Sequence, residues 1–150
     1  SVRVVDSLVR DNYQGTLIGG GATANLSGSK YLGNTFIGVY LAGATGATAS
    51  ISDTVVAGGT GYGIGATSDD IAKVFKLRVA RTVVTNHFVG IGVWGASGTA
   101  AIWLSDSVVS GNTTGIEQSG TGATFYSLGN NAVVDNGTNA TGTITSAAPM

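Results

Sequence analysis

The sequence predicts an all-β solenoid of about six coils, with three short strands in each coil. Three observations support this fold class: an internal repeat of about 25 residues, short apolar runs rich in β-branched residues, and turns made of Gly, Asn, Asp, Ser and Thr. The apolar runs are too short for helices. A single unit cannot bury its apolar side chains alone, whereas units stacked in register bury them in one continuous column.

Three markers define the repeat. The tripeptide Gly21-Ala22-Thr23 returns as Gly46-Ala47-Thr48, 25 residues later, and again in full as Gly122-Ala123-Thr124. A short polar residue followed by an apolar pair forms the second marker, and the pairs begin at positions 8, 31, 55, 83, 108 and 133, in steps of 23, 24, 28, 25 and 25. The third marker is a glycine that opens another short run, at positions 15, 38, 63, 90, 115 and 142.

These units resemble the coils of right-handed parallel β-helix proteins. Val108-Val109 followed by Asn112-Thr113-Thr114-Gly115 shows the pattern, and residues 127–137 resemble the C-terminal coil of bacterial β-helix repeat proteins of unassigned function. The resemblance covers nearly the whole chain and implies a right-handed parallel β-helix of the pectate-lyase-like superfold. This architecture hosts pectate lyases, glycosidases, phage tailspikes and adhesins, so the resemblance says little about activity.

Composition excludes several classes of protein and site. The 150 residues are enough for one domain, and the absence of cysteine excludes a disulfide scaffold or a Cys-ligated metal site. Charged residues make up only 10% of the chain and the net charge is -1, so no general field attracts nucleic acid. No apolar run approaches the roughly 20 residues of a membrane helix. We therefore predict no cofactor, no metal, no nucleic-acid partner and no membrane insertion.

Residues 1–142 are predicted to form a single β-helix domain, and residues 143–150 a loosely attached tail. The strand pattern begins at Ser1-Val2 without a cap, which suggests a fragment or the C-terminal part of a longer protein. An uncapped end exposes backbone hydrogen-bonding groups and predicts self-association there. The absence of cysteine, the low charge and the resemblance favour the outside or the cell envelope of a bacterium.

The best candidate for a ligand site is the basic run at residues 73–81, which holds four of the seven basic residues. Strand alternation places Lys76 and Arg78 outside. Trp103 has the phase of Arg78 in the next coil, so the guanidinium can stack on the indole. With Trp94, these residues predict a site for an acidic polysaccharide, in which the cations meet carboxylates or sulfates. The alternative is a solvated strand whose charges maintain solubility.

Four residues are candidates for catalysis if the protein is an enzyme. Asp53, Arg81 and Asp106 share one phase of the repeat, which predicts a bidentate or shared ion pair in a surface ladder. An arginine between two aspartates opposes calcium, which needs six to eight oxygen ligands. His87 is the only histidine and has the phase of an asparagine at a bend, where a hydrogen-bonded turn residue is the simpler interpretation.

The positions after the apolar pair predict an asparagine ladder at a tight bend, because Asn and Gly tolerate positive φ and stacked Asn side chains hydrogen-bond along the axis. The members of this column are Asp11, Asn34, Gly58, Asn86, Gly111 or Asn112, and Asn136. Tyr13, Phe36 and Phe88 follow one or two residues later, and we expect them to stack as packing rather than as a binding platform.

Taken together, these features favour a non-enzymatic β-helix module, exported or surface-located, that binds glycans or mediates assembly. A carbohydrate-active enzyme, either a polysaccharide lyase or a glycoside hydrolase, or the inactive remnant of one, is the first alternative. A purely structural spacer is the second. A cluster of acidic residues or an Asp/Arg cluster in a groove would distinguish the enzyme from the other two.

Overall fold

The computed structural model describes residues 1–147 and is a right-handed parallel β-helix of about six coils. Each coil contributes one strand to each of three parallel sheets, and the chain passes through the first, second and third sheet before it begins the next coil. The predicted fold class is confirmed.

The strands of each sheet follow one another along the axis of the solenoid. The first sheet contains β1 (Val2–Val5), β4 (Thr23–Ser27), β7 (Ala47–Ser52), β10 (Val74–Ala80), β13 (Thr99–Ser105), β16 (Ala123–Ser127) and β19 (Ile144–Ser146). The second sheet contains β2 (Leu8–Arg10), β5 (Lys30–Leu32), β8 (Val55–Ala57), β11 (Val83–Thr85), β14 (Val108–Ser110) and β17 (Ala132–Val134). The third sheet contains β3 (Gln14–Ile18), β6 (Ile37–Leu41), β9 (Tyr62–Ser68), β12 (Val89–Gly95), β15 (Thr114–Ser119) and β18 (Thr138–Thr141).

The first corner, between the first and second sheets, turns on one residue with positive φ. In five coils this residue is Asp6, Gly28, Asp53, Arg81 or Asp106, with φ between 47° and 61°. The residue after it is a serine or threonine in each of these coils. The hydroxyl groups of Ser29, Thr54 and Ser107 donate to the carbonyl two residues earlier, over 3.0, 2.8 and 2.7 Å. These bonds satisfy polar groups that the corner would otherwise leave unpaired.

The second corner, between the second and third sheets, repeats the same device. A residue with φ between 56° and 80° begins it in every coil, and the six are Asp11, Gly33, Gly58, Asn86, Gly111 and Asp135. The next residues along the chain form a separate column of Asn12, Asn34, Gly59, His87, Asn112 and Asn136. The predicted column mixes these two adjacent positions, because Asn and Gly are common at both.

Asparagine side chains bond to one another at each end of the second column. Asn12 Nδ2 donates to Asn34 Oδ1 over 3.2 Å, and Asn112 Nδ2 donates to Asn136 Oδ1 over 2.9 Å. Gly59 lies between these pairs, beside the single histidine of the chain. The column therefore contains two asparagine pairs rather than one continuous ladder.

In the second and sixth coils, the two positions that align with the apolar pairs of the other coils begin one residue earlier than the sequence predicts, at residues 30 and 132. Backbone pairing aligns Leu8 with Lys30, and Ala132 occupies the same position in the sixth coil. Lys30 and Ala132 are exposed, whereas Tyr31 and Val133 point into the core. The first residue of each pair faces solvent and need not be apolar, so an apolar pair is an imperfect marker of register.

The core is one continuous column inside the three sheets, as stacked coils require. Its largest fully buried side chains are Tyr31, Phe75, Phe125, Leu26, Ile37, Leu41, Ile51, Ile64, Leu77, Ile91, Ile102 and Leu104. Each inward residue therefore packs against equivalent residues in the coils above and below it as well as across the interior.

A column of glycines follows the second corner because the backbone of the next coil approaches too closely for a side chain. Gly15, Gly38, Gly63, Gly90 and Gly115 share this position, and in the sixth coil Asn139 occupies it. The predicted sixth member, Gly142, lies in a turn with φ of 77° instead. A Cβ atom on Gly90 would lie 2.6 Å from the Gly115 carbonyl oxygen and 2.8 Å from Val109 Cγ1.

The residues after 142, predicted as a loose tail, begin a seventh coil. Ile144 pairs with Phe125 and continues the first sheet beyond β16, and Ile144 packs against the core. Ile144 thus covers the last aromatic layer of the core, at Phe125, on its C-terminal side. Residues 148–150 of the predicted tail lie outside the described part of the chain.

We expect Gly90→Ala to destabilise the protein by more than about 3 kcal/mol, because the new Cβ meets backbone that cannot move aside. Gly20→Ala is the matched control, since Gly20 has a φ of 65° but a Cβ added to it would meet no atom within 4 Å. That variant changes only the backbone strain and should cost about 1–2 kcal/mol. Urea unfolding measures both values. Equal losses in the two variants would show that the glycine column is not set by close approach.

Candidate ligand-binding surfaces

The basic strand β10 carries two cations without carboxylate partners. Lys73 pairs with Asp70 over 3.3 Å. The Arg81 guanidinium donates two hydrogen bonds to the Asp53 carboxylate, from Nε to Oδ1 at 2.7 Å and from Nη2 to Oδ2 at 2.8 Å. Lys76 and Arg78, between these pairs, are exposed and make no ion pair within residues 1–147. Strand β10 therefore presents two positive charges that no carboxylate of the described residues neutralises.

Arg78 stacks on Trp103 as the repeat predicts. The two residues pair across β10 and β13, and Arg78 Cζ lies 5.3 Å from the centre of the indole ring. Tyr126, the equivalent residue of β16, stacks on the same indole with ring centres 5.2 Å apart and planes inclined by 13°. We call Lys76, Arg78, Trp103 and Tyr126 the first-sheet patch. The arginine and the tyrosine come from the coils on opposite sides of Trp103, so they stack on opposite faces of the indole.

The sequence prediction misses Tyr126 because the first corner of the sixth coil is longer than in the other coils. The first corner has two residues in five coils but four in the sixth, at positions 128–131. Counting back from the apolar pair therefore misses Tyr126, although counting forward from the Gly-Ala-Thr marker reaches it. Asn131 shows how the longer corner fits: its Oδ1 accepts from Ser107 N over 3.0 Å, and its Nδ2 donates to the Leu104 carbonyl over 2.9 Å.

A cleft of about 450 Å³ lies beside this stack. Arg78 and Trp103 form one side of it, and Ser105, Leu128 and Ala147 contribute to the rest of its lining. An apolar floor with a guanidinium at its edge suits a ligand that has both an apolar face and a negative charge.

Trp94, which the sequence groups with these residues, lies on the third sheet. Its indole Nε1 donates to Glu117 Oε1 over 2.7 Å. The ring lies against Gly65 and Gly92: a Cβ on Gly65 would fall 2.7 Å from Trp94 Cζ3, and one on Gly92 would overlap the ring. Phase within the coil separates Trp94 from Arg78, because β12 and β10 belong to different sheets.

Trp94 forms one wall of a second cavity, of about 210 Å³, which we call the aromatic cleft. Its lining consists of Phe36, Ile37, Tyr40, Tyr62, Thr67 and Trp94. Of the aromatic residues predicted to stack as packing, Tyr13 and Phe36 do stack, with ring centres 5.0 Å apart and planes inclined by 8°. Phe88 is 54% exposed and joins no aromatic pair within the described residues.

The four catalytic candidates do not form one site. Asp53 and Arg81 neutralise each other, and the Arg81 guanidinium holds the pKa of Asp53 below its usual value. Asp106 follows Arg81 in the same column, and its carboxylate accepts a bond from Asn130 Nδ2. His87 belongs to the second corner, on the other side of the second sheet. The arrangement thus places one ion pair, Asp53 with Arg81, at the first corner and a separate histidine at the second.

His87 occupies an asparagine position by filling the space that a neighbouring glycine leaves. A Cβ on Gly59, in the preceding coil, would lie 2.8 Å from His87 Nδ1. His87 N donates to Asn112 Oδ1 over 3.0 Å, but neither ring nitrogen has a well-formed hydrogen bond within residues 1–147. Burial lowers the pKa of His87, and the nearby Val56 carbonyl opposes this shift. His87 is therefore a neutral packing residue at neutral pH.

Comparison with known proteins does not assign the chain to a family, so the chain is classified by its fold alone. No protein-family model, curated protein or solved structure matches the chain. Residues 1–147 contain no group of three or more His, Asp or Glu side chains placed to hold a metal ion. The same residues form no helix that is long and apolar enough to cross a membrane.

The stability of the protein should fall between pH 7.5 and pH 5 because of His87. The unfolded chain binds a proton near pH 6.5, while the folded chain, whose His87 pKa is lower, resists it. Unfolding therefore becomes easier as the pH falls through this window, in which no other side chain of ordinary pKa titrates. Thermal unfolding should show this fall in Tm, and His87→Asn should flatten it while lowering Tm at pH 7.5, because the smaller side chain leaves a void beside Gly59. An unchanged pH slope in the variant would contradict the assignment.

Proposed function

We propose that this β-helix is a non-enzymatic module that binds acidic polysaccharides through the first-sheet patch. The observation that carries the proposal is a difference in ion pairing among the four basic residues of the run at 73–81. Two are neutralised by aspartates, whereas Lys76 and Arg78 face solvent together on one strand without a carboxylate partner among residues 1–147. Arg78 belongs to the aromatic stack and lines its cleft, and Lys76 lies two residues before it on the same strand.

The chemistry of the patch fits a chain of acidic sugars. Side chains two positions apart on a strand face the same way and are about 7 Å apart, so Lys76 and Arg78 can meet separate anionic groups. Stacking on Trp103 leaves the edge of the guanidinium free to bind a carboxylate or a sulfate with two N–H donors. The apolar floor of the adjacent cleft supplies a surface for the C–H face of a sugar ring.

The geometry of the charged corner favours binding over catalysis. A glycoside hydrolase needs two carboxyl groups about 5 to 9.5 Å apart across one bond. Asp53 is held in a two-bond ion pair with Arg81, and Asp106 is hydrogen-bonded by Asn130. An arginine committed in this way is a poor candidate for the base of a polysaccharide lyase.

A location outside the cell, or in the cell envelope of a bacterium, accompanies this function, because acidic polysaccharides occur there. The resemblance of the repeats to the pectate-lyase-like superfold supports the same assignment, since many proteins of that architecture act on glycans. The absence of cysteine and the low charge are compatible with an exported protein.

Affinity electrophoresis through gels containing polygalacturonate, alginate or neutral dextran tests the proposal. The protein should be retarded by the acidic polymers, and about 0.5 M salt should abolish the retardation because it screens exposed charges. Removing both cations in Lys76→Ala/Arg78→Ala should weaken binding at least about tenfold. Lys30→Ala is the matched control, since Lys30 is an exposed lysine on the second sheet without an ion pair among the described residues.

Three results would overturn the proposal. Equal retardation of Lys76→Ala/Arg78→Ala and Lys30→Ala would remove the first-sheet patch from the binding site. Release of oligosaccharides from the polymers, detected by mass spectrometry, would indicate a lyase or hydrolase. No retardation by any polymer would favour a structural spacer.

A further inference from the structure

The aromatic cleft on the third sheet has walls at right angles to one another. The planes of Phe36 and Tyr62 are inclined by 88° with ring centres 6.4 Å apart, and those of Phe36 and Tyr40 by 83° at 6.3 Å. Tyr62 and Trp94 are inclined by 70° with centres 4.7 Å apart. These edge-to-face contacts hold the rings against one another around the cavity, and a cation in the cavity is attracted by each ring face that the contacts leave uncovered. The cleft is thus a partial box with several aromatic walls.

The walls are held in place before any ligand arrives. Trp94 lies on the backbone of two glycines, and Glu117 accepts its indole N–H. Tyr13 stacks on the far side of the cleft, against Phe36, with nearly parallel rings. A preformed cavity loses little conformational entropy when it binds a ligand.

The charge around the cleft is negative. Glu117 lies at the Trp94 end, and the Asp69 carboxylate is close enough to contribute to the raised pKa of Tyr40, of which burial is the main cause. Neither carboxylate makes a salt bridge within residues 1–147, and no lysine or arginine of that part of the chain lines the cavity. This surface repels the anionic groups that the first-sheet patch attracts.

We propose that the aromatic cleft binds a small trimethylammonium compound such as choline, with the methylated cation against the faces of Tyr62, Tyr40 and Trp94. Aromatic faces carry the negative part of the ring quadrupole and attract a cation, and methyl groups replace the water that a bare ammonium would hold. The volume of about 210 Å³ is below the roughly 300–1,000 Å³ of sites for drug-sized ligands, so it limits the occupant to one compact group. The proposal is independent of the polysaccharide function, since it rests on a different sheet and on charge of opposite sign.

The first experiment compares choline with 3,3-dimethylbutan-1-ol, a neutral molecule of the same shape. Trp103→Phe leaves Trp94 as the only tryptophan of the chain, so its fluorescence reports on the cleft. Choline should quench or shift this emission saturably, and the neutral alcohol should bind at least about tenfold more weakly. Phosphocholine forms a second arm: weaker binding than choline indicates a free cation as the ligand, and equal binding indicates a choline group carried on phosphate.

Variants locate the binding and separate charge from shape. Tyr62→Leu keeps an apolar wall but removes a ring, and Glu117→Gln keeps the acceptor for Trp94 Nε1 but removes the charge. Each should weaken choline binding about threefold to tenfold. Phe88→Leu, an exposed aromatic outside the cleft, is the matched control and should leave binding unchanged. Unchanged circular dichroism and Tm show that each variant is folded.

Equal affinity for choline and the neutral alcohol would overturn the proposal, because the cleft would then select only for apolar shape. Saturable binding of methyl glucoside without binding of choline would make the cleft a sugar subsite and would overturn it as well. No emission change with any of these ligands at about 50 mM, in a folded protein, would do the same.

Discussion

The structure depends on the in-register stacking of coils, because every strand between the two ends of a sheet satisfies its backbone hydrogen bonds with the coil above and the coil below. A coil can join the stack only if its three strands begin at the right points around the solenoid. The two tight corners meet this demand with one left-handed residue each, and that conformation shortens the turn enough to preserve register. The first corner has two residues in five coils, whereas the third connection varies from two to five. Variation in the repeat length therefore falls mainly where register is least constrained.

Stacking also determines how a surface site is built. Outward side chains at one phase lie about 4.8 Å apart along the axis, so neighbouring coils contribute the members of one site. Arg78, Trp103 and Tyr126 come from three successive coils and stack on one another. Large side chains need small neighbours in such a column: Trp94 lies flat only because Gly65 and Gly92 have no Cβ, and His87 fits only because Gly59 precedes it. Glycine in this protein makes room for aromatic groups as well as for turns.

The sequence predicts those features that depend only on the position of a residue within the repeat. The first corner has two residues in the third, fourth and fifth coils, so counting back from the apolar pair predicts both the contact of Arg78 with Trp103 and the pairing of Asp53 with Arg81. The first corner of the sixth coil gains two residues, so counting back from the apolar pair misses Tyr126. The apolar pairs of the second and sixth coils are misplaced by one because the first position of the pair faces solvent and need not be apolar. The orientation of an exposed ring is a further limit. Phase places Tyr40 and Trp94 outside, but the perpendicular walls of the aromatic cleft result from side-chain rotation, which no spacing encodes.

The connection at residues 69–73 explains how one weakly charged protein can carry two surfaces of opposite sign. It joins the third sheet to the first, and it divides the charges between them. Asp70 and Lys73 neutralise each other within the loop. Asp69, on the side of the third sheet, acts on Tyr40 in the aromatic cleft, while Lys76 follows on the outer face of the first sheet. Because the loop is among the longest third connections, the charges on either side remain separated by sheet geometry rather than joined in one salt-bridge network. The net charge of -1 therefore conceals a basic face and an acidic, aromatic one.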